Sequence, residues 1–168
     1  MAAQASGWLL PGSEATEAAA AALADCLQAD PRPLVCYLHG DLGAGKSTFA
    51  RALLRALGAE GAIRSPTYTL VERYSLALGE CLHLDLYRVA DPEELDFFGL
   101  DDLAGEALLW LVEWPERGAG RLPAADLELQ LAHAEQARWL QVRARSERGQ
   151  ALIEQWLPSE DGEDACNQ

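Results

Sequence analysis

The chain's 168 residues suffice for one domain with a sizeable core, and they carry a formal charge of −14 with 49% hydrophobic content. That charge argues against a free-standing DNA or RNA binder, which needs a cationic surface against the phosphate backbone. The four cysteines show neither C-x-x-C nor zinc-ligand spacing, no apolar run approaches the roughly 18 residues of a membrane span, and the opening MAAQASGWLLPGSE lacks a secretory pattern. A reduced, cytoplasmic setting without membrane contact is expected.

In chain order, Ser13 is placed to cap a helix through EATEAAAAALADCLQ, with Asp30-Pro31-Arg32-Pro33 to end it. LVCYLH, a short apolar run between turn residues, reads as a buried strand. A glycine-rich segment follows, then a helix with Phe49, Leu53 and Leu57 on one face and Gly58 as its stop. SPTYTLVERY reads as a strand begun at Pro66, and CLHLDLYRV alternates, with Leu82, Leu84 and Leu86 opposite Cys81, His83, Asp85 and Tyr87. Asp91-Pro92-Glu93-Glu94 starts a helix, and ALLWLVEW is a second buried strand ending at Glu113. DLELQLAHA and ARWLQVRAR form a hairpin, GQALIEQWL a last helix, and the acidic residues 158–168 a disordered tail after a single domain over 1–157. The fold class expected is α/β, with a mixed sheet sandwiched between helices.

One segment carries chemistry at every fixed position. Gly40-Asp41-Leu42-Gly43-Ala44-Gly45-Lys46-Ser47 fits G-x-x-x-x-G-K-[ST], with a strand before it and an amphipathic helix after. Glycines let successive backbone amides turn around a β-phosphate, and the helix N-terminus adds positive potential. Lys46 would reach the β- and γ-oxygens, and the Ser47 hydroxyl would serve Mg²⁺. Lys46 is also the only lysine beside 12 arginines. A compact ammonium on a slim stem is what such a loop needs, and a planar guanidinium does not replace it. Candidate nucleotide contacts therefore run through Gly40, Asp41, Leu42, Gly43, Ala44, Gly45, Lys46, Ser47 and Thr48.

A Mg-nucleotide site also needs a carboxylate at the end of a buried strand. Glu113 follows ALLWLV, and Asp85 shares a strand face with His83; both are candidates. His83-x-Asp85 also reads as half of a transition-metal site, but His39 and His133 offer no matching spacing. From Asp91 to Glu116 there are nine acids and no base, either a solvated face or a docking surface for a basic partner.

GDLGAGKST, SPTYTLVERY, HLDLYR, the D-P-E-E-L helix and LVEWPERG, in this order, resemble the TsaE (YjeE) family over nearly the whole domain. The resemblance implies a P-loop fold binding ATP or ADP with Mg²⁺, acting with the TsaB–TsaD complex in threonylcarbamoyl modification of the tRNA adenosine beside the anticodon. ATP hydrolysis would reset that complex, and tRNA would be met indirectly. It implies Lys46 as the phosphate lysine, Ser47 and Glu113 as magnesium ligands, Asp85 as the essential acid and Thr67 as a switch element near the γ-phosphate. Thr16 and Arg138 would belong to the adenine pocket. The sequence departs from the family at Ser47 for threonine, Tyr68 for phenylalanine and Glu72 for asparagine. Two other readings compete: a small-molecule kinase using Arg64, Arg73 or Arg88 over the γ-phosphate, and a nucleotide-sensing adaptor with little turnover.

Overall fold

The computed structural model describes residues 5–156; the acidic segment 158–168 and Cys166 lie outside them. Seven strands form one sheet in the order β1-β7-β6-β2-β5-β4-β3: β1 (Ala5–Leu10), β2 (Leu34–His39), β3 (Val71–Leu76), β4 (Gly79–Asp85), β5 (Ala107–Glu113), β6 (Leu127–Ala134) and β7 (Ala137–Ala144). The four central strands, β6, β2, β5 and β4, run parallel, while β3, β7 and β1 are antiparallel to their neighbours. The expected α/β class with a mixed sheet is what forms.

Helices α1 (Ser13–Ala29), α2 (Lys46–Ala56) and α4 (Glu147–Trp156) pack on one face, where Leu23, Phe49, Leu53, Leu111 and Leu129 share a core. Each such side chain contributes about 1.5–3 kcal/mol through burial. Trp156 closes this layer, with its indole N–H donating to the Ala19 carbonyl at 2.9 Å. The other face holds Leu82, Leu84, Leu86, Trp110 and Val112. Its cover is thin: 3₁₀ turns at Pro92–Phe98 and Pro115–Gly118, and the five-residue α3 (Leu100–Ala104). The alternation in CLHLDLYRV splits as expected, Cys81 into one core and the leucines into the other. No helix among the described residues is long and apolar enough to cross a membrane.

Three local expectations need correction, and one strand was not anticipated. Ser13 is the first residue of α1 and makes no capping bond; extended Gly12 holds the N-cap position. SPTYTLVERY is not one strand. Residues 66–70 form a turn closed by the Leu70 amide on the Pro66 carbonyl at 2.7 Å, Leu70 takes a φ of 71°, and β3 starts at Val71. The Asp91 cap and its box with Glu94 form, but the turns after Pro92 are 3₁₀, stopped at Gly99 with a φ of 62°. Finally, Ala5–Leu10 is a strand that composition did not reveal: Gly7 weakens it locally, and pairing with β7 supplies the support.

Candidate functional site

β2 feeds the loop from Gly40 to Gly45, and α2 begins at Lys46 immediately after it. Gly40, Gly43 and Gly45 have φ of 147°, 76° and 109°, a region closed to most side chains. At Gly40 a Cβ would also collide with the Leu131 carbonyl oxygen on β6. The first amides of α2, which have no partner within the helix, therefore open onto a tightly turned loop suited to an anion. Ala44 is buried beneath it, its amide bonded to the Asp41 carbonyl at 3.0 Å, while Leu42 stands exposed.

Lys46 is only 5% exposed. Its Nζ donates to the carbonyls of Gly40 at 2.5 Å and Asp41 at 3.0 Å, and lies 4.5 Å from the centre of the Trp114 ring. Burial pushes the ammonium below its usual pKa, against the pull of Glu113, Asp85, Glu116 and Asp41.

The two candidate carboxylates end adjacent strands, Asp85 on β4 and Glu113 on β5. The Ser47 hydroxyl donates to Glu113 Oε1 at 2.9 Å, and Glu113 Oε2 lies 2.7 Å from His83 Nε2. Asp85 accepts the Tyr87 amide at 3.0 Å and the Thr67 hydroxyl at 3.3 Å. Burial pushes the Asp85 carboxyl up, reinforced by Glu113 and opposed by the Tyr87 amide, the Thr67 hydroxyl and His83. Ser47 and Glu113 thus offer two hard oxygen donors side by side. Few protein donors suit Mg²⁺, which keeps several waters and takes other ligands from phosphate.

A cavity of about 360 Å³ joins Gly43, Gly45, Lys46, Ser47, Thr48, Thr67, Asp85, Arg88, Glu113 and Trp114. A second, about 220 Å³, lies across the same loop, lined by Leu10, Gly12, Thr16, Gly43, Gly45, Thr48, Gln136, Ala137 and Arg138. Arg138 reaches the Gly43 carbonyl at 3.4 Å. The structure thus brings Thr16 and Arg138 together, next to the phosphate loop and apart from the carboxylates. A larger cavity of about 630 Å³, against Trp110 and Leu122, contains none of these groups.

Of the arginines considered for a kinase, Arg73 pairs with Glu80 and Glu106 at 3.5 and 3.8 Å, and only Arg88 lines the carboxylate cavity. Arg88 stacks over the Tyr68 ring at 4.5 Å. His83 does not act with Asp85 as half of a ligand pair; its ring meets Glu113 instead. Reading the sequence missed that bond, although the alternation of β4 had placed His83 on the correct face. Gln136 and Ala137, at the bend between β6 and β7, were missed altogether, since ordinary turn residues carry no chemical signal.

The family description threonylcarbamoyl adenosine biosynthesis protein TsaE matches residues 10–142. A Haemophilus influenzae protein named tRNA threonylcarbamoyladenosine biosynthesis protein TsaE is 43% identical over 122 residues, covering 73% of this chain and 77% of its own length. A Rickettsia bellii protein of the same name is 37% identical over 125 residues, with 73% and 83% covered. The crystal structure of Bacillus subtilis YdiB superposes with a TM-score of 0.70 at 28% identity, covering 93% of this chain and 96% of that one. With its glycine loop, strand-end carboxylates and mixed sheet, this chain has a P-loop NTPase fold and belongs to the TsaE family of threonylcarbamoyl adenosine biosynthesis proteins.

Proposed function

We propose that this chain binds ATP with Mg²⁺ and hydrolyses it as a cytoplasmic subunit acting with the TsaB–TsaD complex. Hydrolysis would reset that complex between rounds of threonylcarbamoyl transfer to the tRNA adenosine beside the anticodon, with tRNA itself met through the partners. The observation that carries the reading is the 2.9 Å contact between Ser47 and Glu113 beside a lysine held at the mouth of the loop.

Lys46 exchanges its two carbonyl partners for β- and γ-phosphate oxygens, and burial strengthens each charge interaction it makes there. Ser47 and Glu113 would hold Mg²⁺. When bound there, Mg²⁺ would supply Lewis-acid stabilisation of the charge that develops during phosphoryl transfer. Asp85, whose raised pKa brings it closer to that of an effective base, orients the attacking water and accepts hydrogen bonds from it. Thr67, bonded to Asp85, brings the turn at 66–70 against the γ-phosphate position. Thr16, Ala137 and Arg138 form the wall for adenine.

The test is ATP hydrolysis by the purified chain, alone and with TsaB and TsaD. Slow turnover that rises with the partners is the expected result. Fast turnover indifferent to them would indicate a free-standing enzyme such as a kinase. Tight ATP binding without turnover in either mixture would indicate an adaptor.

A further inference from the structure

His83 is fully buried on β4, and its polar contact with the site runs through Glu113 alone. Its Nε2 stands 2.7 Å from Oε2, while the other oxygen of the same carboxylate meets Ser47 at 2.9 Å. Facing a carboxylate at that distance, Nε2 carries the hydrogen and donates. The second ring nitrogen, Nδ1, is buried with no partner among the described residues. This is an expensive way to fill a core position. Two polar groups leave water, one nitrogen goes unpaired, and an apolar pair of similar size would fold at least as well.

We infer that His83 is a positioning residue that occupies Glu113 Oε2 and leaves Oε1 as the one oxygen facing Ser47 and the metal. The inference rests on the proposed place of Glu113 in the magnesium shell. A glutamate has three side-chain torsions, and an unbacked carboxylate there could rotate to present both oxygens. With Oε2 engaged from within the sheet, Glu113 offers a single hard donor and leaves room for the waters and phosphates that Mg²⁺ prefers. The register makes this possible. Asp85 pairs with Glu113 across β4 and β5, so His83, two residues earlier on the same face, reaches Glu113 from inside the sheet. Asp85 stays at the mouth, its oxygens taken by Thr67 and Tyr87 and not by His83.

The experiment measures ADP binding to the full chain by calorimetry, in EDTA and over a series of Mg²⁺ concentrations. It compares the wild type with His83→Leu, His83→Gln and Glu113→Gln. Groups that back a metal ligand change metal affinity by about 10–100-fold, so His83→Leu should raise the Mg²⁺ needed for its half-maximal effect by about tenfold or more. ADP affinity in EDTA should not change, and His83→Gln, whose amide can donate to Oε2, should recover most of the loss. An unchanged Mg²⁺ dependence in His83→Leu overturns the inference, as does a glutamine variant no better than leucine. Equal losses in EDTA and in Mg²⁺ also overturn it, because mere structural damage does not distinguish the two. If His83→Leu fails to fold, His83→Gln against His83→Asn makes the same comparison, since the shorter amide cannot reach Oε2. Glu113→Gln separates the two levels. If it abolishes the Mg²⁺ dependence while His83→Leu does not, only the role of His83 falls; if neither variant alters it, the metal role of Glu113 falls as well.

Discussion

Asp85 and Glu113 are register partners at the C-terminal ends of adjacent parallel strands. Backbone pairing alone therefore holds the two site carboxylates side by side, and Glu113 raises the cost of ionising Asp85. The burial of Asp85 is the larger contribution.

Asp85→Asn tests that cost through pH. The folded chain binds the Asp85 proton more tightly than the unfolded chain does, so ionisation penalises the fold. The associated stability is present below the ordinary aspartate pKa of about 3.9 and is lost as pH rises through the raised folded value. Asp85→Asn should therefore melt higher than wild type at neutral pH, with the gain vanishing below about pH 4. Hydrolysis in the presence of partners should fall by about 10²-fold or more, with ADP affinity kept. A lower neutral melting temperature would count against this account.

Lys46 separates binding from folding. Its charge is disfavoured by burial in the unliganded chain, so Lys46→Met should leave the melting temperature unchanged or higher. The stability conferred by losing that charge is largest at neutral pH and fades as pH rises toward the free-lysine value, where the unfolded chain also gives up its proton. ATP binding should weaken by about 10²-fold or more, since a charge-assisted contact to phosphate is lost. Lys46→Arg should weaken it nearly as far, because a fork cannot take the place of a point charge. Calorimetry on both variants checks this; normal ATP affinity in Lys46→Arg would remove the explanation for the lone lysine.

The proposed adenine wall is testable by filling it. Ala137→Phe projects into the cavity shared with Thr16 and Arg138 and should weaken ATP and ADP alike by about tenfold or more. Binding of pyrophosphate, which uses the loop alone, should be unaffected. A matching loss of pyrophosphate binding would mean that the substitution had disturbed the loop.

Gly40→Ala tests the cradle itself. The added Cβ meets the Leu131 carbonyl at a residue whose φ is 147°. A cost of about 1–3 kcal/mol is expected from the backbone alone, read as a lower denaturation midpoint. Gly43→Ala, where the added Cβ meets only His133 Nε2 at 4.0 Å, should cost less.

The parts of this molecule that were legible in its sequence are those where one residue type has one physical use. The loop glycines need positive φ, Lys46 needs a slim charged stem, and the alternation of β4 needs two buried faces. Each was readable without coordinates. Thr16 and Arg138 were reachable only through family resemblance, because residues 122 positions apart meet when β1 and β7 pair at the sheet edge. The turn at 66–70 was misread because Tyr68 and Thr69 favour strands, and the Pro66 carbonyl offered the Leu70 amide a closer partner than the sheet did. The bond from His83 to Glu113 spans 30 residues and depends on register, which no local pattern encodes.

The single lysine has a consequence for any chemistry aimed at amines. With Lys46 5% exposed inside the loop, no side-chain ammonium remains on the outer surface, where every permanent positive charge is a guanidinium. Amine-directed cross-linkers would find no exposed side-chain amine on this chain, so carboxylate-directed reagents are the natural alternative for capturing any protein bound to it. The same reagents, if they modify Lys46 at all, would do so in competition with nucleotide.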